Sequence, residues 1–352
     1  MNVYERELFI RLCKTEDIDK ERISDLTERG FANHKVLGAL FFNRMAGCAD
    51  YVLTECGVPE GLNREFYRSI HNARQQNILR NREFFQCIRA LVGTLDGLEE
   101  KYVFLKGAYL CSLYPEGCRT SNDVDILTDG KNVSEIGKRL KDAGFEQGYL
   151  KNGIFRRATR EEVINARIMN GETVPYVIKV GLPMMDYFEV DINFSTDFRA
   201  SDGNITREIL RKAGTKTVNG TAIPLPDRYD FILHLCAHLY KEISTMPWIR
   251  MKRDMTLYKF ADINLMTRSL TDQDRFNLLC RSSELGLEEI YRRVTGMTSE
   301  IFNPGTRDKN YPGDFPVTDP ATAETYRYTD RSALRRFFCE NREGLLKREE
   351  KE

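Results

Sequence analysis

The apolar residues of this chain change period twice, and the middle stretch, with period two, carries acids where a strand would present its polar face. Asp123-Val124-Asp125-Ile126-Leu127 is the first such run, and Tyr187-Phe188-Glu189-Val190-Asp191-Ile192-Asn193-Phe194 is the second. Side chains alternate faces along a strand, so Asp123 and Asp125 point one way while Val124 and Ile126 point to the core. On the second strand Glu189, Asp191 and Asn193 share a face. Two carboxylates spaced about 7 Å along one strand can converge on a divalent cation. An Asp-x-Asp pair alone arises often by chance. A second acidic strand gives it weight, because like charges beside an apolar sheet are costly unless a metal or a cationic ligand neutralises them.

The flanks read differently. Residues 1 to about 98 predict helices over Tyr4 to Cys13, Asp17 to Arg29, Lys35 to Ala49 and Asn63 to Leu95, from apolar spacings of three and four. The region 99–200 predicts strands over Tyr102 to Leu105, Asp123 to Leu127, Gly153 to Ala158, Val174 to Val180 and Tyr187 to Phe194. It also predicts a helix from Val133 to Ala143 ended by Gly144. Beyond Pro224 and Pro226 the pattern is helical again, over Asp227 to Ile243, Trp248 to Thr267, Asp272 to Gly286 and Leu287 to Val294. A connection follows over Asn303 to Asp319, then an exposed helix from Arg331 and a solvated, frayed end at Lys347 to Glu352. The expectation is an α+β fold, a mixed sheet with helices over 99–200, flanked by helical regions 1–98 and 201–352.

Composition narrows the function. At 352 residues and 41% hydrophobic content the chain can bury substantial cores. Lysine plus arginine equals aspartate plus glutamate at 53 each, so no global field attracts nucleic acid and a polynucleotide substrate is disfavoured. The nine cysteines are scattered, with no Cys-x-x-Cys spacing, which fits reduced thiols and a cytoplasmic setting. The start has no basic segment leading into an apolar one, and no run approaches about 18 apolar residues, so neither secretion nor a membrane span is expected.

Sixteen residues before Asp123 lies Gly107, in Tyr102-Val103-Phe104-Leu105-Lys106-Gly107-Ala108; between them come Tyr114-Pro115 and Arg119. This order, followed by Asp123-x-Asp125 and later Val190-Asp191-Ile192, resembles the DNA polymerase β-type nucleotidyltransferase superfamily. Within it, the match is to a bacterial family of poorly characterised nucleotidyltransferases with the signature Leu-Lys-Gly-Ala, Tyr-Pro, Arg, Ser-Asp-x-Asp. The resemblance extends to the stretch Asp230 to His238 and covers roughly residues 75 to 270. It implies a polymerase β-like core in which Asp123, Asp125 and Asp191 hold two Mg²⁺ ions, with Glu189 competing for the third position and Asp191, or Glu189 beside it, serving as general base. It further implies that Lys106, Gly107, Ala108 and Arg119 meet a nucleoside triphosphate, ATP being the first choice. A nucleotidyl group would then pass to a hydroxyl acceptor, a small molecule first and a protein or tRNA second. The runner-up from another class is a non-catalytic nucleotide-binding module.

Two departures matter. Many superfamily members carry Gly-Ser after the first strand, where the hydroxyl meets the triphosphate; Gly107-Ala108 implies that this hydroxyl is lost and that Lys106 or Arg119 takes over. The close family continues its third acidic strand with His-Trp, where this chain has Asn193-Phe194. Among the remaining candidates, His234 and His238 have an i, i+4 spacing open to zinc but lack the Glu of a His-Glu-x-x-His site. Packing or a hydrogen bond is the preferred reading there. The basic cluster Trp248 to Arg253 reads by default as a solvated helix face, and Asp262 as a weak acceptor-side candidate.

Overall fold

In the computed structural model, residues 1–58, 61–99, 101–169, 171–196, 203–303 and 314–349 are described. They form a mixed α+β structure, and contacts divide the chain into two units, Met1–Ile70 with Ile232–Glu352, and His71–Phe231. Most of the expected 303–319 connection and the last three residues lie outside the described set.

The chain begins with α1 (Val3–Leu12), α2 (Lys20–Glu28), α3 (Asn33–Phe42), α4 (Ala46–Cys56) and the long α5 (Arg64–Thr94). Asn2 and Glu5 form a reciprocal capping box that starts α1, satisfying N–H groups that have no partner within the helix. The helix expected over Lys35 to Ala49 is two helices. At the break Arg44 takes a φ of 57°, and the buried Asn43 turns its amide oxygen to accept from the Leu257 N–H at 2.9 Å. A tertiary hydrogen bond there overrides local periodicity.

The second unit follows with β1 (Tyr102–Leu105), α6 (Gly107–Leu110), β2 (Asp123–Thr128), α7 (Val133–Asp142), β3 (Glu146–Lys151), β4 (Ile154–Arg157), α8 (Arg160–Met169), β5 (Tyr176–Lys179), β6 (Tyr187–Asn193) and α9 (Gly203–Lys212). The hairpin β7 (Gly214–Val218) and β8 (Thr221–Leu225) completes it. Six strands form one sheet in the order β1-β2-β6-β5-β3-β4, antiparallel throughout except for the parallel pair β2 and β6. Val103, Phe104, Val124, Ile126, Phe188, Val190 and Ile192 are its buried core, and Phe188 receives the rings of Phe84 and Phe145 at 6.3 Å each. Unlike the sequence expectation, 146–151 is a strand and 214–225 a hairpin rather than part of a helical region. β3 has one buried residue and β7 ends on one, so neither shows the apolar alternation that marks a strand.

The remaining elements are α10 (Arg228–Ile243), α11 (Met246–Arg250), α12 (Leu257–Thr267), α13 (Asp272–Glu284), α14 (Glu288–Phe302), β9 (Pro316–Asp319), β10 (Glu324–Tyr328), α15 (Ala333–Phe338) and β11 (Leu346–Arg348). The helix expected over Trp248 to Thr267 is interrupted, because Lys252 enters the left-handed region at a φ of 57° and the Arg253 N–H returns to the Trp248 carbonyl at 2.9 Å, a helix-ending arrangement. The final helix is short and not exposed as expected. Arg336 is fully buried over the rings of Phe315 and Tyr328, at 5.3 and 5.2 Å, and Phe337 stacks on Phe9. Lys347 and Arg348, at the start of the end read as frayed, belong to β11, the edge of a three-stranded antiparallel sheet. Among the described residues no helix is long and apolar enough to cross a membrane.

Candidate active site

Parallel pairing of β2 with β6 sets Asp123 opposite Glu189 and Asp125 opposite Asp191. Neighbouring strands lie about 4.8 Å apart, so four carboxylates form a two-by-two array on one side of the sheet. The other side holds the register, since a slip of one residue would expose Val124, Ile126, Val190 and Ile192, all fully buried. Crowding shows in the acids themselves. Burial first, then Asp123 and Asp125, pushes Glu189 up to about 7. Burial first, then Asp125, Asp123 and Glu189, raises Asp191 well above the carboxylate range, with Lys106 acting in the opposite direction.

Lys106 reaches this array from β1. Antiparallel pairing sets Leu105 opposite Asp125, and the next residue turns sharply, with Lys106 at φ 47° and ψ −116°. Such a conformation is costly for a residue with a Cβ. It delivers Nζ to within 2.9 Å of Asp125 Oδ1. Gly107 then passes so close to Ser121 that an added Cβ would stand 2.2 Å from its Oγ. Ser121 Oγ lies beside Gly107 and donates toward Asp123, 3.2 Å from both its carbonyl oxygen and its Oδ1. Ala108 itself is fully buried.

The loop that carries Arg119 into β2 is held by one face of α5. Arg74 Nε donates to the Glu116 carbonyl at 3.0 Å, Asn77 Nδ2 to the Gly117 carbonyl at 3.0 Å, and Asn81 Nδ2 to the Arg119 carbonyl at 2.8 Å. Gly117, at a φ of 81°, lies so close that a Cβ would meet Arg74 at 2.7 Å. Arg80 extends the series, donating to Asn122 Oδ1 at 2.8 Å and to the Met184 carbonyl at 2.7 Å, while Glu83 accepts from the Met184 N–H at 2.9 Å. The same helix thus fixes the segments entering both acidic strands. Arg119 is buried, its guanidinium donating to the neighbouring Thr120 carbonyl. Sequence reasoning missed Ser121, Asn77, Arg80 and Asn81; the polar residues recurring every three or four positions along α5 were the available signal.

The other candidates belong to the unit containing Ile232–Glu352. His234 and His238 stack at 6.2 Å, and His238 Nε2 stands 3.5 Å from Glu242, which also pairs with Lys259. Burial opposes ionisation of Glu242, yet His238 and Lys259 together bring its carboxyl below the ordinary value. This is a packed polar network, the reading preferred for the histidines. Arg250 pairs with the buried Asp319 at 3.0 Å, so the basic cluster contributes a structural bridge, and Asp262 is buried. Among the described residues no three His, Cys, Asp or Glu side chains form a ready-made metal cage. At the acidic array, Lys106 holds one of the carboxylates.

The family described as an uncharacterised nucleotidyltransferase matches residues 31–303, and the chain belongs to that family. Among solved structures, an antigenic nucleotidyltransferase-like protein from Paracoccidioides brasiliensis is similar, with 16% identity, a TM-score of 0.34, and coverage of 57% of this chain and 89% of that one. That likeness is too distant to carry an argument. No curated protein matches the chain.

Proposed function

We propose that this chain is a metal-dependent nucleotidyltransferase with a polymerase β-like core, moving a nucleotidyl group from ATP to the hydroxyl of a small molecule in the cytoplasm. One observation carries the reading: the in-register array Asp123, Asp125, Glu189 and Asp191, with Lys106 and Gly107 at the end of the adjoining strand. Four hard oxygen donors that repel one another fit Mg²⁺. Asp123, Asp125 and Asp191 would hold two ions, which supply charge neutralisation at the triphosphate and acidify an acceptor hydroxyl. Glu189, opposite Asp123, takes the proton of the acceptor O–H as its oxygen bonds to the α-phosphorus; the bond from that phosphorus to the departing pyrophosphate breaks. Gly107 offers a close backbone approach for the phosphates, and Lys106 and Arg119 add positive charge to the leaving group. The neutral overall charge supports a small acceptor over a polynucleotide. The Lys106–Asp125 ion pair favours, as a second reading, a nucleotide-binding protein without turnover.

The test incubates the purified chain with each α-³²P-labelled nucleoside triphosphate, Mg²⁺ and a lysate, then separates small molecules, RNA and protein. Label in the small-molecule fraction that disappears with Asp123→Asn supports the proposal. Nucleotide binding with no label in any fraction selects the second reading.

A further inference from the structure

Away from the acidic array, in the unit containing Ile232–Glu352, α12, α13 and α14 enclose a cavity of about 430 Å³, within the size range of small-molecule sites. Three arginines line it: Arg268 at the end of α12, Arg275 on α13 and Arg292 on α14. No carboxylate is among its described lining residues. Arg268 is held by Glu16 at 2.9 Å and Asp17 at 3.4 Å, and Arg292 by Glu288 at 3.0 Å. Arg275 makes, among the described residues, one hydrogen bond, to the Thr267 carbonyl at 3.3 Å, which leaves most of its five N–H donors for a ligand.

The hydroxyls of the lining add a second kind of complementarity. Thr295 and Thr298 donate their protons to the Tyr291 and Val294 carbonyls, each at 2.7 Å. Both residues line the cavity, and with their protons so committed their oxygens can only accept, which suits the O–H donors of a ligand and not its anionic part. Guanidinium forks recognise phosphate oxygens, and such acceptors recognise hydroxyls. We infer that this cavity binds a phosphorylated polyhydroxy small molecule, the phosphate between Arg268, Arg275 and Arg292 and the hydroxyls toward Thr295 and Thr298. The inference does not depend on the nucleotidyltransferase reading, and its test reads binding rather than transfer.

The experiment titrates the full chain with glucose 6-phosphate, inorganic phosphate and glucose by calorimetry in Mg²⁺-free buffer. The variants are Arg275→Gln, Arg292→Gln and, at the acidic array, Lys106→Gln. The expected result is saturable binding of glucose 6-phosphate, weaker binding of phosphate and none of glucose. Each arginine substitution should weaken binding about tenfold while Lys106→Gln leaves it unchanged, a difference of about 1.4 kcal/mol per tenfold. No saturable binding up to about 10 mM, corresponding to an affinity too weak for a built site, would overturn the inference. So would binding that survives both arginine changes, or binding lost with Lys106→Gln.

Discussion

The two units treat buried charge in opposite ways. In the unit formed by both ends of the chain, charges are matched one against another. Asp254, fully buried, meets Arg342 at 2.6 Å; Glu242 pairs with Lys259; Arg336 lies over two aromatic rings and donates to the Asp330 carbonyl. In the sheet unit, four carboxylates share one side of two adjacent strands, and Lys106 answers one of them. Matching of the first kind holds a fold together. Crowding of the second kind works against stability unless a ligand brings positive charge.

The largest expected effects test that contrast directly. Asp123→Asn with Asp125→Asn should reduce nucleotidyl transfer by on the order of 10³-fold or more, a loss typical of removing transition-state charge stabilisation. Asp123→Asn alone, which keeps the Lys106–Asp125 pair, should leave the melting temperature unchanged or raised, because it relieves repulsion. A large fall in melting temperature would show the array to be structural. In the other unit the signs reverse. Arg342→Met leaves Asp254 buried without its partner and should cost about 3–5 kcal/mol in a denaturant titration, whereas Arg342→Met with Asp254→Leu should recover much of that loss. If the single change were neutral, the matched-pair account of this unit would fail.

Between these extremes lies the support of the site by α5. Asn81→Ala removes the hydrogen bond to the Arg119 carbonyl and should cost about 1–3 kcal/mol, since it leaves a buried carbonyl unsatisfied. Transfer should fall about tenfold, with Asn81→Gln no substitute at that geometry. Gly117→Ala combines a left-handed φ with contact against Arg74 and should destabilise by about 1–3 kcal/mol. Equal activity of Asn81→Ala and the parent protein would remove α5 from the account of the site.

Much of the acidic array was legible because strand alternation is local: the residues that share a face are two apart, and both runs display it. What the sequence could not convey was pairing. That β2 and β6 are neighbours, parallel and in register, depends on how separated segments meet, as does the approach of Ser121 to Gly107. The loss of a hydroxyl inferred from Gly107-Ala108 was a statement about adjacent positions, which could not show that Ser121, fourteen residues beyond Gly107, packs against it. Helix breaks at Arg44 and Lys252 were illegible for a related reason. Neither is marked by glycine or proline, and at the first the break serves a hydrogen bond to Leu257. The strands β3 and β7 lack the apolar alternation that makes a strand readable, and are held by pairing with β4 and β8.

The smallest effect separates surface pairing from both buried arrangements. Glu7 accepts from Arg22 at 2.9 and 2.7 Å and from Arg11 at 2.9 Å, and the bond to Arg22 is the main reason its carboxyl falls from the ordinary 4.5 to about 2. A carboxylate held low in the folded state stabilises that state above the unfolded pKa, and the contribution is lost as pH falls from about 4.5 through about 2. Because the side chain remains 29% exposed, solvent and salt screen the pair, and the contribution should be at most about 1 kcal/mol. Glu7→Gln should therefore lower stability slightly at pH 6 and converge with the parent protein near pH 2, in denaturant titrations at matched salt. A difference at pH 6 as large as that of Arg342→Met would mean that exposed and buried pairs in this unit are energetically alike. A difference that grew toward low pH would reverse the sign and show that Glu7 is held ionised at a cost to the fold.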